Sequence, residues 1–269
     1  MRVRRCSPRH SHVRGFWLAL VFLSTLPVAG RRNESALRTW QEFAHVFAWF
    51  PLVGFLLGGI LVGADWFLGH VFPPTVTTAL LLMLWVALTG ALHLDGLVDT
   101  CDALFAPRLP EERMQILKDV HVGAFGVVGV VLLLLLKFAA LRDLEPPHQA
   151  GALLLAPMLS RWAMVYAAYA YPYARPEGLG ALVRTAMVRQ DVIWATVTAL
   201  VGAGVVAALW QLPATWLLAA AIGCLVTTWG VTALLIRWTM QRIPGLTGDL
   251  YGAINELVEL VILLVCTFL

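Results

Sequence analysis

Apolar runs close to 20 residues long recur from residue 46 to the end of the chain, and no other feature restricts its fold as strongly. Roughly 20 apolar residues is the helix length that crosses a hydrocarbon core about 30 Å thick. Inside that layer every backbone N–H and C=O must be satisfied without water, which a helix does within a single segment. The composition agrees: 60% of the 269 residues are hydrophobic and 13% charged, against roughly 45–50% and 25% in soluble domains. The expected fold is therefore all-α, a polytopic transmembrane bundle of about seven full spans. They are placed at 46–71, 76–92, 123–141, 150–171, 192–210, 214–238 and 252–269. Gly54, Gly58 and Gly59 in the first span favour close helix contact, and Pro73-Pro74 makes the turn into the second.

Residues 1–14 hold five arginines and no acid, and form a basic leader ahead of a single integral-membrane domain, 15–269. The apolar stretch 16–29 is short and ends at Leu-Pro-Val-Ala-Gly, which suits a re-entrant or interfacial helix better than a signal peptide. Positive charge then sets the orientation. With 16–29 not crossing, the segments 1–45, 93–122, 172–191 and 237–251 share one side and carry 16 of the 19 Lys and Arg residues. That side is the cytoplasmic one. Lys137 and Arg142 sit toward the opposite end, and Arg161 lies within a span. The four cysteines are dispersed, with no CxxC and no zinc spacing, so neither a disulfide framework nor zinc is expected.

The chemistry-bearing stretch is His93-Leu-Asp-Gly-Leu-Val-Asp-Thr-Cys-Asp102. Asp95, Asp99 and Asp102 stand at i, i+4 and i+7, one face of a helix at about 100° per residue. Three carboxylates at the edge of hydrocarbon repel one another. Either they hold protons or a cation gathers them, and an all-oxygen donor set favours a hard ion, Mg²⁺, with phosphate as co-ligand. The plain alternative is a solvated acidic helix start. Further along, 110–121 reads as an amphipathic surface helix ending in Lys118 and Asp119, before a glycine-bearing helix start (Gly123, Gly126, Gly129) suited to phosphate or equally to a helix-packing stripe.

Arg161, unpaired, would be costly at mid-span, so it needs an interior partner, either an acid or a substrate anion. The loop 171–180 presents Arg175 for phosphate and Tyr171 or Tyr173 for stacking. The segment Gly245-Leu-Thr-Gly-Asp249 leads into a helix bearing Glu256 and Glu259. Asp249 and Glu256, seven residues apart, share a face and form a second acidic group opposite the first.

Taken together, the His93–Asp102 motif, the Tyr-Ala-Arg-Pro-Glu-Gly-Leu-Gly loop and Leu-Thr-Gly-Asp-x-x-Gly-Ala-x-x-Glu-Leu-x-Glu resemble the cobalamin synthase family of adenosylcobinamide-GDP ribazoletransferases, in order from about Phe16 to the C-terminus. The resemblance implies a Mg²⁺-dependent, multi-pass enzyme of the bacterial inner membrane whose site faces the cytoplasm. It would join adenosylcobinamide-GDP to α-ribazole or its 5′-phosphate, releasing GMP and giving adenosylcobalamin or its phosphate. On this reading Asp95, Asp99 and Asp102 hold metal with Asp249 or Glu256, and His93 is the base, with His121 or an aspartate as rivals. Lys118, Asp119, Arg161, Arg175 and Thr247 then meet substrate. The lipid bilayer is a partner and nucleic acid is not; a homo-oligomer stays open.

Three departures from the family pattern stand out: Thr25 where arginine is usual, Val120 where serine is, and Ile243-Pro244 where glycine is. Rival classes are a CDP-alcohol phosphotransferase, an intramembrane prenyltransferase and an ion-coupled transporter. The first lacks its Asp-x-x-x-Asp ending here, and the last lacks an inverted repeat.

Overall fold

A computed structural model describes residues 8–27, 45–107, 109–117, 121–175 and 187–268. Ten α-helices account for most of these, with a 3₁₀ turn at Phe47–Trp49: α1 (Pro8–Leu23), α2 (Phe50–Gly69), α3 (Pro74–Thr89), α4 (Leu92–Phe105), α5 (Pro110–Ile116), α6 (Ala124–Asp143), α7 (Pro146–Ala170), α8 (Arg189–Leu209), α9 (Ala214–Met240) and α10 (Gly248–Cys266). Proline opens α2, α3, α5 and α7 in the first turn, where its missing N–H is not needed and its φ is already helical.

Length and composition let five helices cross a membrane: Phe47–Gly69, Ala124–Asp143, Pro146–Ala170, Arg189–Leu209 and Leu218–Met240. The expected second span is not straight. α3 and α4 pass the same test only together and meet at 90°. Gly90 and Ala91 both take the left-handed conformation there, at φ 63° and 57°, a state that opens to an alanine only when its surroundings enforce it. Thr25 supplies part of that enforcement. Its N–H donates to the Leu88 carbonyl at 2.8 Å, and its hydroxyl donates to that of Ala87 at 2.8 Å. The residue that departs from the family pattern thus closes the end of α3. α10, 19 residues long, is interrupted by Asp249, Glu256 and Glu259. The expected seven spans therefore become five plain crossings, a bent pair and an acid-bearing last helix. α1 rises only about 24 Å, in keeping with a helix too short to cross.

The core is built around α7, which is buried along most of its length and packs against α2, α8 and α10. Gly54 and Gly58 let α2 lie against the α7 backbone at Pro157 and Leu153, as expected; a Cβ at either would collide with it, whereas Gly59 faces open space. α4 packs on α6 and α10. Arg113 of α5 donates to the carbonyls of Ala103 and Leu104 at 3.0 and 2.6 Å, a cation closing the end of α4. Chain segments around α4, 171–175 and 243–249 meet at one end of the bundle.

Candidate active site

Two groups of ionisable side chains share α10, one above the other, the upper completed by α4 and the lower by α6 and α7. The upper group is a rim. Asp95 is exposed and Asp99 half-buried on α4, and Asp249 is half-buried in the first turn of α10. What joins them is a backbone contact. A Cβ on Gly96 would sit 2.6 Å from the Asp249 carbonyl oxygen, so only glycine lets α4 cross α10 this closely. The negative charges of Asp249, Asp95 and Asp102 all act on Asp99, with Arg175 opposing them. Arg175 donates from Nη2 to Asp249 at 3.3 Å and to the Leu117 carbonyl at 2.8 Å. Its loop is pinned by a bridge between Tyr173 and Leu246, in which Ala174 N–H donates to Leu246 O at 2.7 Å and Leu246 N–H to Pro172 O at 2.9 Å. Tyr173 stacks on Tyr251, and Tyr171 meets Tyr166 edge-on, so the two tyrosines expected to stack on a ligand stack on neighbouring rings. The acidic stretches of α4 and α10 do face each other, as the motif spacing predicts.

The lower group is buried and paired. Lys137 of α6 donates to Glu256 and to Glu259, both at 2.6 Å. Arg161 of α7 is bonded to Glu259 and to Ser160, and Asn255 donates to Glu259 at 3.1 Å. The Trp85 ring lies 5.1 Å from the Lys137 ammonium. Two cations meet two carboxylates, and Arg161 and Glu259 are entirely inaccessible.

Several expectations change on this geometry. Glu256 shares a helix face with Asp249 but lies about 10 Å further along the axis, ion-paired to Lys137 rather than gathered at the rim. Lys137, placed near the opposite end by hydropathy, belongs to this interior network. Its signal was in the sequence all the same: a lysine inside an unbroken apolar run requires a buried partner. Arg161 finds an acid, Glu259, and no route to the rim.

His93 is buried, and neither ring nitrogen has a partner among the described residues. It stands two residues before Asp95, and positions i and i+2 point to different sides of a helix. Its electrostatic neighbours are Arg161, Glu259 and Lys137, so it belongs with the interior group and not with the aspartates. Asp102 is occupied as well. It accepts from the N–H groups of Gly123 at 2.7 Å and Gly126 at 2.9 Å, so an aspartate of this protein fills the α6 N-terminus expected to bind phosphate. Thr247 is the N-cap of α10, fully buried and bonded to Asp249 at 3.2 Å and to the Leu250 N–H. It holds the acid in place from behind. Lys118, Asp119 and Val120 lie outside the described residues, as does the loop beyond Arg175.

The donor chemistry at the rim suits a hard cation: all-oxygen, anionic and short of positive charge. Among the described residues no three His, Cys, Asp or Glu side chains close around one point. A cation here would be shared by a subset of the rim and an incoming phosphate, which is the usual arrangement for Mg²⁺.

Comparison with known proteins follows the same residues. The sequence profile of the family described as cobalamin-5-phosphate synthase matches residues 15–267. The chain belongs to the cobalamin-5-phosphate synthase family. An adenosylcobinamide-GDP ribazoletransferase of Deinococcus radiodurans is 40% identical over 95% of this chain and 86% of its own length. Proteins of the same name from Desulfitobacterium hafniense and Pseudomonas putida are 38% and 40% identical, over 94% and 93% of the chain and 96% of each relative. No solved structure shows a significant match. For this member of the cobalamin-5-phosphate synthase family, the rim formed by Asp95, Asp99, Asp249 and Arg175 holds three acids to one cation, with Asp95 open to solvent.

Proposed function

We propose that this chain is an adenosylcobinamide-GDP ribazoletransferase, joining adenosylcobinamide-GDP to α-ribazole or its 5′-phosphate with release of GMP. The observation that supports it best is the meeting of Asp95 and Asp99 with Asp249 across the Gly96 contact, beside Arg175. A diphosphate-bearing substrate calls for such a mixed set, and the named relatives carry the activity over nearly their whole length. Asp95, Asp99 and Asp249 would hold Mg²⁺. When bound, that ion offsets charge on the diphosphate oxygens, which is most of what phosphoryl transfer asks of a protein.

The chain's own residues do the rest. Arg175 binds the phosphate that leaves with GMP, exchanging its bond to Asp249 for a stronger one to the anion. Thr247 and the Gly96 contact fix Asp249, so that the acids stay aligned as the substrate enters. A free ribose hydroxyl of the acceptor attacks the phosphorus joined to cobinamide, the bridging P–O bond breaks so that GMP leaves, and the hydroxyl proton passes to a rim carboxylate, Asp95 being the one open to water. His93 is too deep to take that part and contributes to the shape of the interior. The enzyme would sit in the bacterial inner membrane with the rim on the cytoplasmic side, where 16 of its 19 Lys and Arg residues are expected.

Membranes carrying the protein, given adenosylcobinamide-GDP and α-ribazole, should release GMP only when α-ribazole and Mg²⁺ are both present. Formation of CMP or pyrophosphate from other donors, with none from this pair, would overturn the assignment in favour of the rival enzyme classes.

A further inference from the structure

The helix that carries the aspartates has a second face. Opposite Asp95, Asp99 and Asp102, the side chains of Leu97, Thr100, Cys101 and Leu104 line a groove of about 590 Å³ closed by α6, α9 and α10. Its walls are almost wholly apolar, and on α6 they include Val128, Leu132 and Leu136, all exposed. Among the described residues nothing occupies it.

Its mouth is different. Phe105 and Trp238, which both line the groove, meet there at 5.7 Å. The Arg242 guanidinium lies over the Trp238 ring at 4.1 Å and donates to the Trp238 carbonyl at 2.9 Å, whereas Arg237, exposed in the last turn of α9, falls on the face turned away from Leu235, Trp238 and Thr239. An aromatic pair with an arginine is the arrangement that marks the headgroup level of a bilayer, and arginine resting on an indole keeps its charge available to an anion. One polar group interrupts the apolar wall. The Thr100 hydroxyl is buried and has no partner among the described residues, at a point about a turn and a half below Phe105 on α4.

We infer that this groove is a binding site for one anionic phospholipid, with an acyl chain along α4, α6 and α10, an ester oxygen accepting from Thr100, and the phosphate at Arg242. The charge at the mouth decides between occupants. A second copy of the chain would have to bring an acid to Arg242 at headgroup depth, while a lipid phosphate is there already. An uncharged or zwitterionic lipid would leave the arginine without a net anion. Because the chain lies against the back of the aspartate helix, the lipid would complete the packing of α4 where the protein itself does not. The inference rests on membrane insertion alone and not on the ribazoletransferase reading.

The test is native mass spectrometry of the full chain in mild detergent, offered equal amounts of phosphatidylglycerol and phosphatidylcholine. One phosphatidylglycerol should be retained in preference, and the preference should fall by about fivefold in Arg242→Gln while staying unchanged in Arg237→Gln, whose side chain lies on the other face of α9. Leu132→Trp, a substitution on an exposed wall, should abolish retention of both lipids while the protein stays monodisperse. Equal retention of the two lipids by the unaltered protein, retention that survives Leu132→Trp, or a dimer in place of a lipid adduct would each overturn the proposal. Should Leu132→Trp fail to fold, the arginine variants still decide. GMP release is not the readout, so a failure here and a failure of the proposed activity are separate results.

Discussion

Two clusters of charge share α10, and they are built on opposite principles. In the interior, Lys137 and Arg161 meet Glu256 and Glu259 in a buried, charge-balanced set. At the rim, two turns along α10, Asp95, Asp99 and Asp249 gather with Arg175 as the sole cation among the described groups acting on Asp99. The first arrangement balances its charges within the protein, as buried ions must be paired to persist, although Arg161 Nε and Nη2 and Asn255 Oδ1 have no hydrogen-bond partner among the described residues. The second carries unbalanced negative charge, which on the proposed function a cation from solution would offset. Balance marks the structural cluster, and imbalance marks the one that binds.

The sharpest way to break that comparison is to neutralise one residue from each. Asp99→Asn should cost at least about a hundredfold in GMP release while leaving insertion and thermal stability near normal. A chelator should reproduce the loss on the unaltered enzyme, with recovery on adding Mg²⁺. Lys137→Met should do the reverse. It strands Glu256 in the interior and leaves Glu259 to Arg161 alone, where breaking a buried pair costs about 3–5 kcal/mol. The expected outcome is a poorly folding protein whose surviving fraction still binds Mg²⁺ normally, and Lys137→Arg should rescue it. Destabilisation by Asp99→Asn, or full stability in Lys137→Met, would show that the roles of the two clusters had been exchanged.

Between these extremes lies the contact that makes the rim. Gly96→Ala places a methyl group against the Asp249 carbonyl, and overpacking of this kind costs about 1–3 kcal/mol. Because α4 must move off α10 to accept it, kcat should fall by about tenfold or more, with a smaller loss of stability than in Lys137→Met. Arg175→Lys keeps the charge but not the two-pronged geometry. It should raise KM for the GDP-bearing substrate several-fold and leave folding unchanged.

Parts of this were legible in the sequence, and the reasons differ from residue to residue. The helices could be placed because hydrocarbon thickness sets their length, and the aspartate face could be read because i, i+4 and i+7 converge on any helix. The same arithmetic turns His93 away from Asp95, since two residues are about 200° of rotation. Asp249 and Glu256 share a face, but a shared face says nothing of depth. The Ala91 bend leaves no trace in residue type, because a left-handed alanine is imposed by its neighbours. Lys137 was misplaced because hydropathy counts a lysine without asking what it meets. The role of Asp102 needed the return of α6, which no local pattern encodes.

Asp102 therefore gives the most delicate test, and the smallest effect. Its face on α4 makes it a third metal ligand by spacing, while its bonds to Gly123 and Gly126 make it the cap of α6. Asp102→Asn retains one acceptor oxygen and loses the charge that favours a helix N-terminus, together worth about 1 kcal/mol. Acting as a cap, it should shift thermal unfolding slightly, lower GMP release by less than about tenfold, and leave the Mg²⁺ concentration for half-maximal activity nearly unchanged. Asp249→Asn, by contrast, should raise that concentration steeply without a comparable loss of stability. If the two variants raised the Mg²⁺ requirement together, Asp102 would belong to the rim after all, and the division between paired and unpaired charge would have to be redrawn through α4 itself.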